Sequence, residues 1–155
     1  MTPGIHLARK AKIVYTVHEY EHSPMSESYG LEAADKLGVP AARVFKTLVV
    51  SLENKEMAVG IVPVASMLSM KLIAKAVGAK KAGMAAAADV ERSTGYVLGG
   101  VSPLGQKKRL RTIIDSSARE FPTVYVSAGR RGLEIELSPD DLQRLTQAVF
   151  AEIRQ

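Results

Sequence analysis

Apolar and polar positions alternate along KIVYTVHEY (12–20), which is also rich in β-branched and aromatic residues, so a strand is predicted there after a short N-terminal helix. SESYGLEAADKL (26–37) has helical spacing, with Ser26 as its candidate N-cap and Gly38 and Pro40 closing it. RVFKTLVVSL (43–52) is apolar almost throughout, as a buried strand would be. ENKE then turns the chain into MAVGIVPV (57–64), its hairpin partner. Ser69 is placed to cap MKLIAKAVG (70–78), where Leu72, Ile73, Ala76 and Val77 share one face and Lys71, Lys75 and Lys80 lie elsewhere.

The second half continues the mixture. MAAAADVERST (84–94) is predicted as a helix ended by Gly95. YVLGG (96–100), RTIID (111–115), TVYVSA (123–128) and GLEIEL (132–137) are predicted as short strands. SPDDLQRLTQAVFAEI (138–153) carries the clearest helical signal: Ser138 as cap, Pro139 at the first helical position, Asp140 and Asp141 complementing the dipole. The order is neither strict βαβ alternation nor an all-β pattern. The expected fold is α+β, one domain over residues 1–155, with a curled, barrel-like mixed sheet flanked by helices.

Composition narrows the function. With 155 residues, 46% hydrophobic and 24% charged, the chain is ordinary globular material that can bury a core without staples. No apolar run approaches the ~20 residues of a membrane span, and MTPGIHLARKAKIVYTVHEY has no secretory h-region, so a cytoplasmic protein without membrane contact is expected. Cysteine is absent, which excludes disulfides, thiolate nucleophiles and Cys-ligated zinc. His6, His18 and His22 lack metal-pair spacing, so no metal and no cofactor are called for, and a surface or hydrogen-bonding role is expected of His18 and His22. No G-x-S-x-G is present, and Ser102 in VSPLG reads most simply as part of a turn. A net charge of +5 favours a polyanionic partner.

Three features carry candidate chemistry. Lys46 interrupts the apolar VFKTLVV strand, where an ammonium must reach a cavity mouth, a partner or an anion; an edge-facing lysine reaching to water is the plainer reading. GGVSPLG (99–105) is a pliable loop whose amides can cradle an anion, and Lys107, Lys108, Arg109 and Arg111 follow at once. SAGRRG (127–132) is a second Gly/Ser/Arg loop after a strand. Two such loops favour an anionic ligand over two solvated turns.

MTPGI, Tyr20-Glu21-His22, EAADKLG, VFKTLVV, STGYVLGGVSPLGQKKR, TIID and YVSAGRRGLEIEL together resemble the YbaK family, bacterial Cys-tRNA(Pro) deacylases related to the editing domain of prolyl-tRNA synthetases. The resemblance runs the length of the chain, and the block at 93–109 is its most specific part. It implies trans-editing of Cys-tRNA(Pro), and of Cys-tRNA(Cys) as a further substrate, in an open pocket that takes the acceptor end of an aminoacyl-tRNA. Prolyl-tRNA synthetase is the implied protein partner. By the same resemblance the functional lysine falls on Lys46, with Thr47 beside it. The pocket tyrosine falls on Tyr20, an aromatic at the mouth on Tyr29, the loop glycines on Gly99 and Gly100, and the second loop's serine and acid on Ser127 and Glu134. The amides of Gly99, Gly100 and Val101 are candidates for an oxyanion site, Ser102 for a substrate contact, and Lys107, Lys108, Arg109, Arg130 and Arg131 for tRNA phosphates. The family's implied mechanism uses the substrate's own cysteine thiol as nucleophile and releases a thiolactone, with a bound water as the competing nucleophile. A deacylase for Ala, Ser or a non-protein residue, and a non-catalytic tRNA- or synthetase-binding module, remain alternatives. Ala128 stands where a glycine pair is usual, Leu31 where an acid is frequent, and Glu134 where Asp is common.

Overall fold

A computed structural model describes residues 1–25 and 29–155, apart from the side chain of Tyr29. The expected cap Ser26 therefore lies outside the described residues. The elements in order are α1 (Pro3–Lys10), β1 (Tyr15–Glu19), α2 (Tyr29–Leu37), β2 (Phe45–Leu52), β3 (Met57–Pro63), α3 (Met70–Val77), β4 (Ala82–Met84), α4 (Ala87–Thr94), β5 (Arg111–Asp115), β6 (Val124–Arg130), β7 (Leu133–Leu137), α5 (Pro139–Thr146) and β8 (Val149–Ala151). Short 3-10 turns at Ala41–Arg43 and Ser116–Glu120 connect them. No helix among the described residues is long and apolar enough to cross a membrane.

The strands form two open sheets rather than the single barrel-like curl expected. One has the order β1-β7-β6 and is antiparallel; the other has the order β4-β2-β3-β5-β8, with β3-β5 and β5-β8 parallel. The ENKE turn delivers the predicted hairpin, pairing Phe45 with Pro63 and Ser51 with Met57. The two sheets meet where Val44 bridges Tyr125. Phe45, Val49, Val59 and Ile61 from one sheet and Val126, Ile135 and Leu137 from the other belong to one buried cluster, so the core sits between the sheets. On the outer face of the larger sheet, α3 presses Ile73 and Val77 onto Val50, Val62 and Ile113. Each such side chain taken from water contributes roughly 1.5–3 kcal/mol.

Three predicted elements differ. YVLGG is a turn and not a strand: Gly99 takes φ +89°, the Gly100 amide donates to the Val97 carbonyl (3.0 Å), and the Tyr96 hydroxyl donates inward to the Leu104 carbonyl (2.6 Å). The helix predicted from residue 84 begins at Ala87, because Ala82–Met84 pairs with β2 instead. The C-terminal helix stops at Thr146, where Gln147 turns left-handed (φ +56°) and the Ala148 amide folds back to the Gln143 carbonyl. Val149–Ala151 then joins β5 as a parallel strand. Asp115, wholly buried, fixes that ending: its carboxylate accepts from the Ile153 amide (3.0 Å) and pairs with Arg154 (3.3 Å).

Candidate functional site

Sheet geometry brings the two loops and the odd lysine together. Lys46 sits two residues past Val44, where the sheets meet, with Phe45 between them turned into the core. Beside it opens a cavity of about 340 Å³. Its walls are Phe45 to Leu48 of β2, Leu98, Gly99 and Val101 of the first loop, and Tyr20, Ser127, Arg131 and Glu134 of the smaller sheet and its turns; Gly30 of α2 and Val64 complete it. Lys46, Tyr20, Thr47, Gly99, Val101, Ser127 and Glu134, distant in sequence, are thus gathered at one place.

The electrostatics of that place are unusual. The Lys46 ammonium donates a long 3.4 Å bond to the Val64 carbonyl and has no carboxylate within ion-pair distance among the described residues. Burial pushes its pKa down. Glu134 lies mid-strand in β7 between His18 of β1 and Ser127 of β6. It is buried, and loss of hydration pushes its pKa up to about 8. At neutral pH the acid is therefore mostly uncharged. Burial and the nearby Glu134 likewise push the Tyr20 phenol up, keeping it protonated. Arg131 on the wall faces Glu32, so the Lys46 ammonium is the charge that favours an anionic guest. The Thr47 hydroxyl oxygen is buried with no hydrogen-bond partner among the described residues. An orphaned polar atom costs on the order of 1–3 kcal/mol, so a guest that bonds it recovers that cost.

The roof and the loops are held by specific contacts. Arg131 lies 3.6 Å from Glu32 of α2 and donates to the Ser23 carbonyl, and Glu32 also accepts from the Ser23 amide. This ties the β6–β7 turn to α2. A Cβ on Gly30 would lie 2.2 Å from a Val64 methyl, so α2 rests directly on the cavity wall. A Cβ on Gly100 would come within 2.8 Å of the Arg130 Cα, so the two glycine loops abut there. The Thr2 hydroxyl donates to the carbonyl of Ala128, which is itself buried, anchoring the second loop from α1.

Some expected residues lie elsewhere. Gly100 does not line the cavity and spends its amide on Val97, whereas the amides of Gly99 and Val101 have no protein acceptor among the described residues. Ser102 is fully buried behind the loop, its hydroxyl oxygen accepting from the Leu104 amide (3.1 Å), which makes it a turn residue. Lys107, Lys108 and Arg109 are exposed, and the last two border a different depression. Arg130 is exposed and 3.5 Å from Glu19; Arg111 caps α3 through the Val77 carbonyl. The Tyr29 side chain lies outside the described residues. His18 hydrogen-bonds Glu136 (2.9 Å) against the Tyr125 ring, as a structural histidine. Leu48, Val64, Leu98 and Gly30 were not singled out from the sequence. As apolar or small residues in apolar runs they carry no signal there.

No histidine lines the cavity, and Ser127, whose hydroxyl oxygen accepts from the Gly129 amide, has the mostly protonated Glu134 opposite it on the neighbouring strand. Among the described residues no three His, Asp or Glu side chains cluster as metal ligands. The wall offers positioning, cationic charge and amide donors. It offers no activated nucleophile of its own.

Comparison with known proteins yields consistent matches. The profile of the family described as "Aminoacyl-tRNA editing domain" matches residues 25–145. A protein of Enterococcus faecalis, named "Putative Cys-tRNA(Pro)/Cys-tRNA(Cys) deacylase EbsC", is 37% identical over 153 residues, covering 98% of this chain and 92% of that one. The crystal structure of "a putative trans-editing enzyme for prolyl tRNA synthetase" superposes with a TM-score of 0.85 at 23% identity, covering 100% of this chain and 99% of the other. That of "hypothetical protein APE2540" gives 0.88 at 23% identity, with 99% and 100% covered. The last two show a shared fold.

Proposed function

This chain belongs to the aminoacyl-tRNA editing domain family, and on that premise we propose that it is a trans-editing deacylase that removes mischarged cysteine from Cys-tRNA(Pro). The observation that carries the reading is the Lys46 ammonium, without a carboxylate partner among the described residues, in a cavity walled by loop amides and a buried acid. An aminoacyl ester is already activated, so orientation and charge stabilisation supply most of the acceleration required. Lys46 holds an anionic oxygen of the acceptor end. The amides of Gly99 and Val101 donate to the ester carbonyl oxygen as charge develops on it. Tyr20, Thr47, Ser127 and Glu134 surround the amino acid.

Among the described residues the cavity has no Ser–His or Cys nucleophile, and a cysteinyl ester brings its own. The substrate's sulfur attacks its own carbonyl carbon, the S–C bond forming as the C–O bond to ribose breaks. The thiol proton ends on the ribose hydroxyl, and a thiolactone departs. Alanyl and prolyl esters have no thiol and escape. Residues 1–155 act as one editing domain at the site of translation in the cytoplasm, with prolyl-tRNA synthetase as the partner that supplies mischarged tRNA.

Replacement Lys46→Ala tests the assignment. Release of cysteine from Cys-tRNA(Pro) is expected to fall at least 100-fold, with the circular dichroism spectrum and thermal midpoint retained. Full deacylation by the folded variant removes Lys46 from the mechanism.

A further inference from the structure

The segment that walls the Lys46 cavity also walls a second one on its other side. Gly99 and Val101 face the first; Pro103, Gly105, Lys108, Arg109 and Leu110 border the second, a depression of about 190 Å³. Its floor is apolar, with Leu7 of α1 and Leu145 of α5, and its rim is cationic. No Asp or Glu lines it, and neither Lys108 nor Arg109 pairs with a carboxylate among the described residues. The hydroxyls of Thr112 and Thr146 in its wall donate to the Leu110 and Leu142 carbonyls and the Gln106 side-chain amide donates to the Ser102 carbonyl, so what remains for a guest is apolar surface, the Gln106 side-chain carbonyl oxygen and positive charge. The depression is smaller than a typical drug-sized pocket. It suits one ring and one anionic group.

We infer that this depression binds an unpaired nucleotide of RNA, with the phosphate on Lys108 and Arg109 and the base on Leu7, Leu110 and Leu145. This rests on the deacylase reading above, because the RNA end that enters the Lys46 cavity supplies the nucleotide. Val101 and Pro103 are two residues apart, at most about 7 Å of chain. The two cavities border the same loop, so nucleotides near the one in the first cavity are those in range of the second. Single-strand binding proteins hold bases on aromatic faces and phosphates on cations; here leucines stand in the place of the aromatics. The loop is then a partition: the ester lies on one side and a neighbouring nucleotide is gripped on the other, fixing where the ester sits.

The test is an NMR titration of the methyl signals of Leu7, Leu110 and Leu145 with a CCA trinucleotide, cytidine 5′-monophosphate, inorganic phosphate and a hexaglutamate peptide. The trinucleotide is expected to shift these methyls in the wild type, and to shift them still, at higher concentration, in Lys46→Ala. In the double variant Lys108→Ala/Arg109→Ala its affinity should drop at least tenfold. Cytidine monophosphate should shift the same signals at tenfold or more higher concentration, and phosphate alone more weakly still. The double variant should also raise KM for aminoacyl-tRNA several-fold with kcat within about twofold. Tighter binding of hexaglutamate, or equal binding of phosphate and trinucleotide, overturns the inference. Shifts at Gly99 and Val101 without shifts at Leu7, Leu110 and Leu145 overturn it too, while leaving the deacylase reading standing. No response at either cavity overturns both.

Discussion

Among the described residues Thr47, Glu134 and Lys46 each carry a local cost that a bound guest would offset: a hydroxyl without a partner, a carboxyl stripped of water, an ammonium without a carboxylate. Thr47→Val, which replaces the hydroxyl by a methyl, is expected to leave the unliganded protein as stable or more stable, by up to about 1 kcal/mol. It should lower deacylation tenfold or more. Loss of stability without loss of activity would place that hydroxyl in the fold and not in the site. Glu134 gives a pH test. Its pKa is raised in the folded protein to about 8 from an ordinary value of 4.5. Between those values the folded state holds the proton more tightly than the unfolded chain. Stability contributed by the neutral acid is therefore full at low pH, falls as pH rises through the window, and is flat above about 8. The slope is roughly 1.4 kcal/mol per unit at most. Denaturant midpoints of Glu134→Gln should lack this slope; a slope shared by both proteins would mean that another group titrates. At this scale the sequence was informative where polarity conflicted with its surroundings. Lys46 in VFKTLVV stood out for that reason, while Leu98 and Val64 did not, because an apolar residue in an apolar run looks the same in a core and in a cavity wall.

Elements were legible where a start or stop signal was chemical. Ser69 and Ser138 cap α3 and α5 as expected, each hydroxyl oxygen accepting an amide three residues on, and ENKE sets the hairpin register. The errors fall where the chain changes course without a Gly or Pro. QAVFAEI continues a helical pattern beyond Thr146, yet Gln147 adopts the left-handed conformation and a buried aspartate draws the tail into the sheet. Gln147→Gly is accordingly expected to raise the thermal midpoint by about 1–4 °C, by relieving a left-handed residue that carries a Cβ. A fall in midpoint would mean the glutamine side chain contributes more than its backbone costs. YVLGG misled in the opposite way, its Tyr, Val and Leu suggesting a strand where flanking glycines make a turn. At α2 the close approach of Gly30 to Val64 predicts that Gly30→Val, which adds bulk where none fits, costs about 1–3 kcal/mol. It should also weaken substrate binding, measured as raised KM, because the roof is displaced. Unchanged stability and KM would show that α2 is not seated on the wall.

For the whole molecule, two sheets that touch at one corner and diverge elsewhere leave a cavity at the parting, and that arrangement was beyond the sequence. Pattern gave most of the strands but missed Ala82–Met84 and Val149–Ala151; it could not say that the β1-β7-β6 set separates from the rest or that Val44 and Tyr125 are the junction. Charge is organised at the same scale. Unlike Arg131, which faces Glu32, and Arg130, which faces Glu19, Lys107 to Arg109 have no acidic partner among the described residues, so the loop presents unpaired cations to its surroundings. Engagement of roughly four to six phosphates gives an expected log–log salt slope of tRNA binding on the order of −3 to −5, read by filter binding across salt concentration. A slope near zero would rule out an electrostatic RNA surface. The central claim is that the cavity orients and stabilises while the substrate supplies the nucleophile, and it is tested most directly by comparing single-turnover deacylation of Cys-tRNA(Pro) and Ala-tRNA(Pro) by the wild-type protein. The account predicts that the cysteinyl ester is cleaved at least 100-fold faster than the alanyl ester. Equal rates for the two would contradict it.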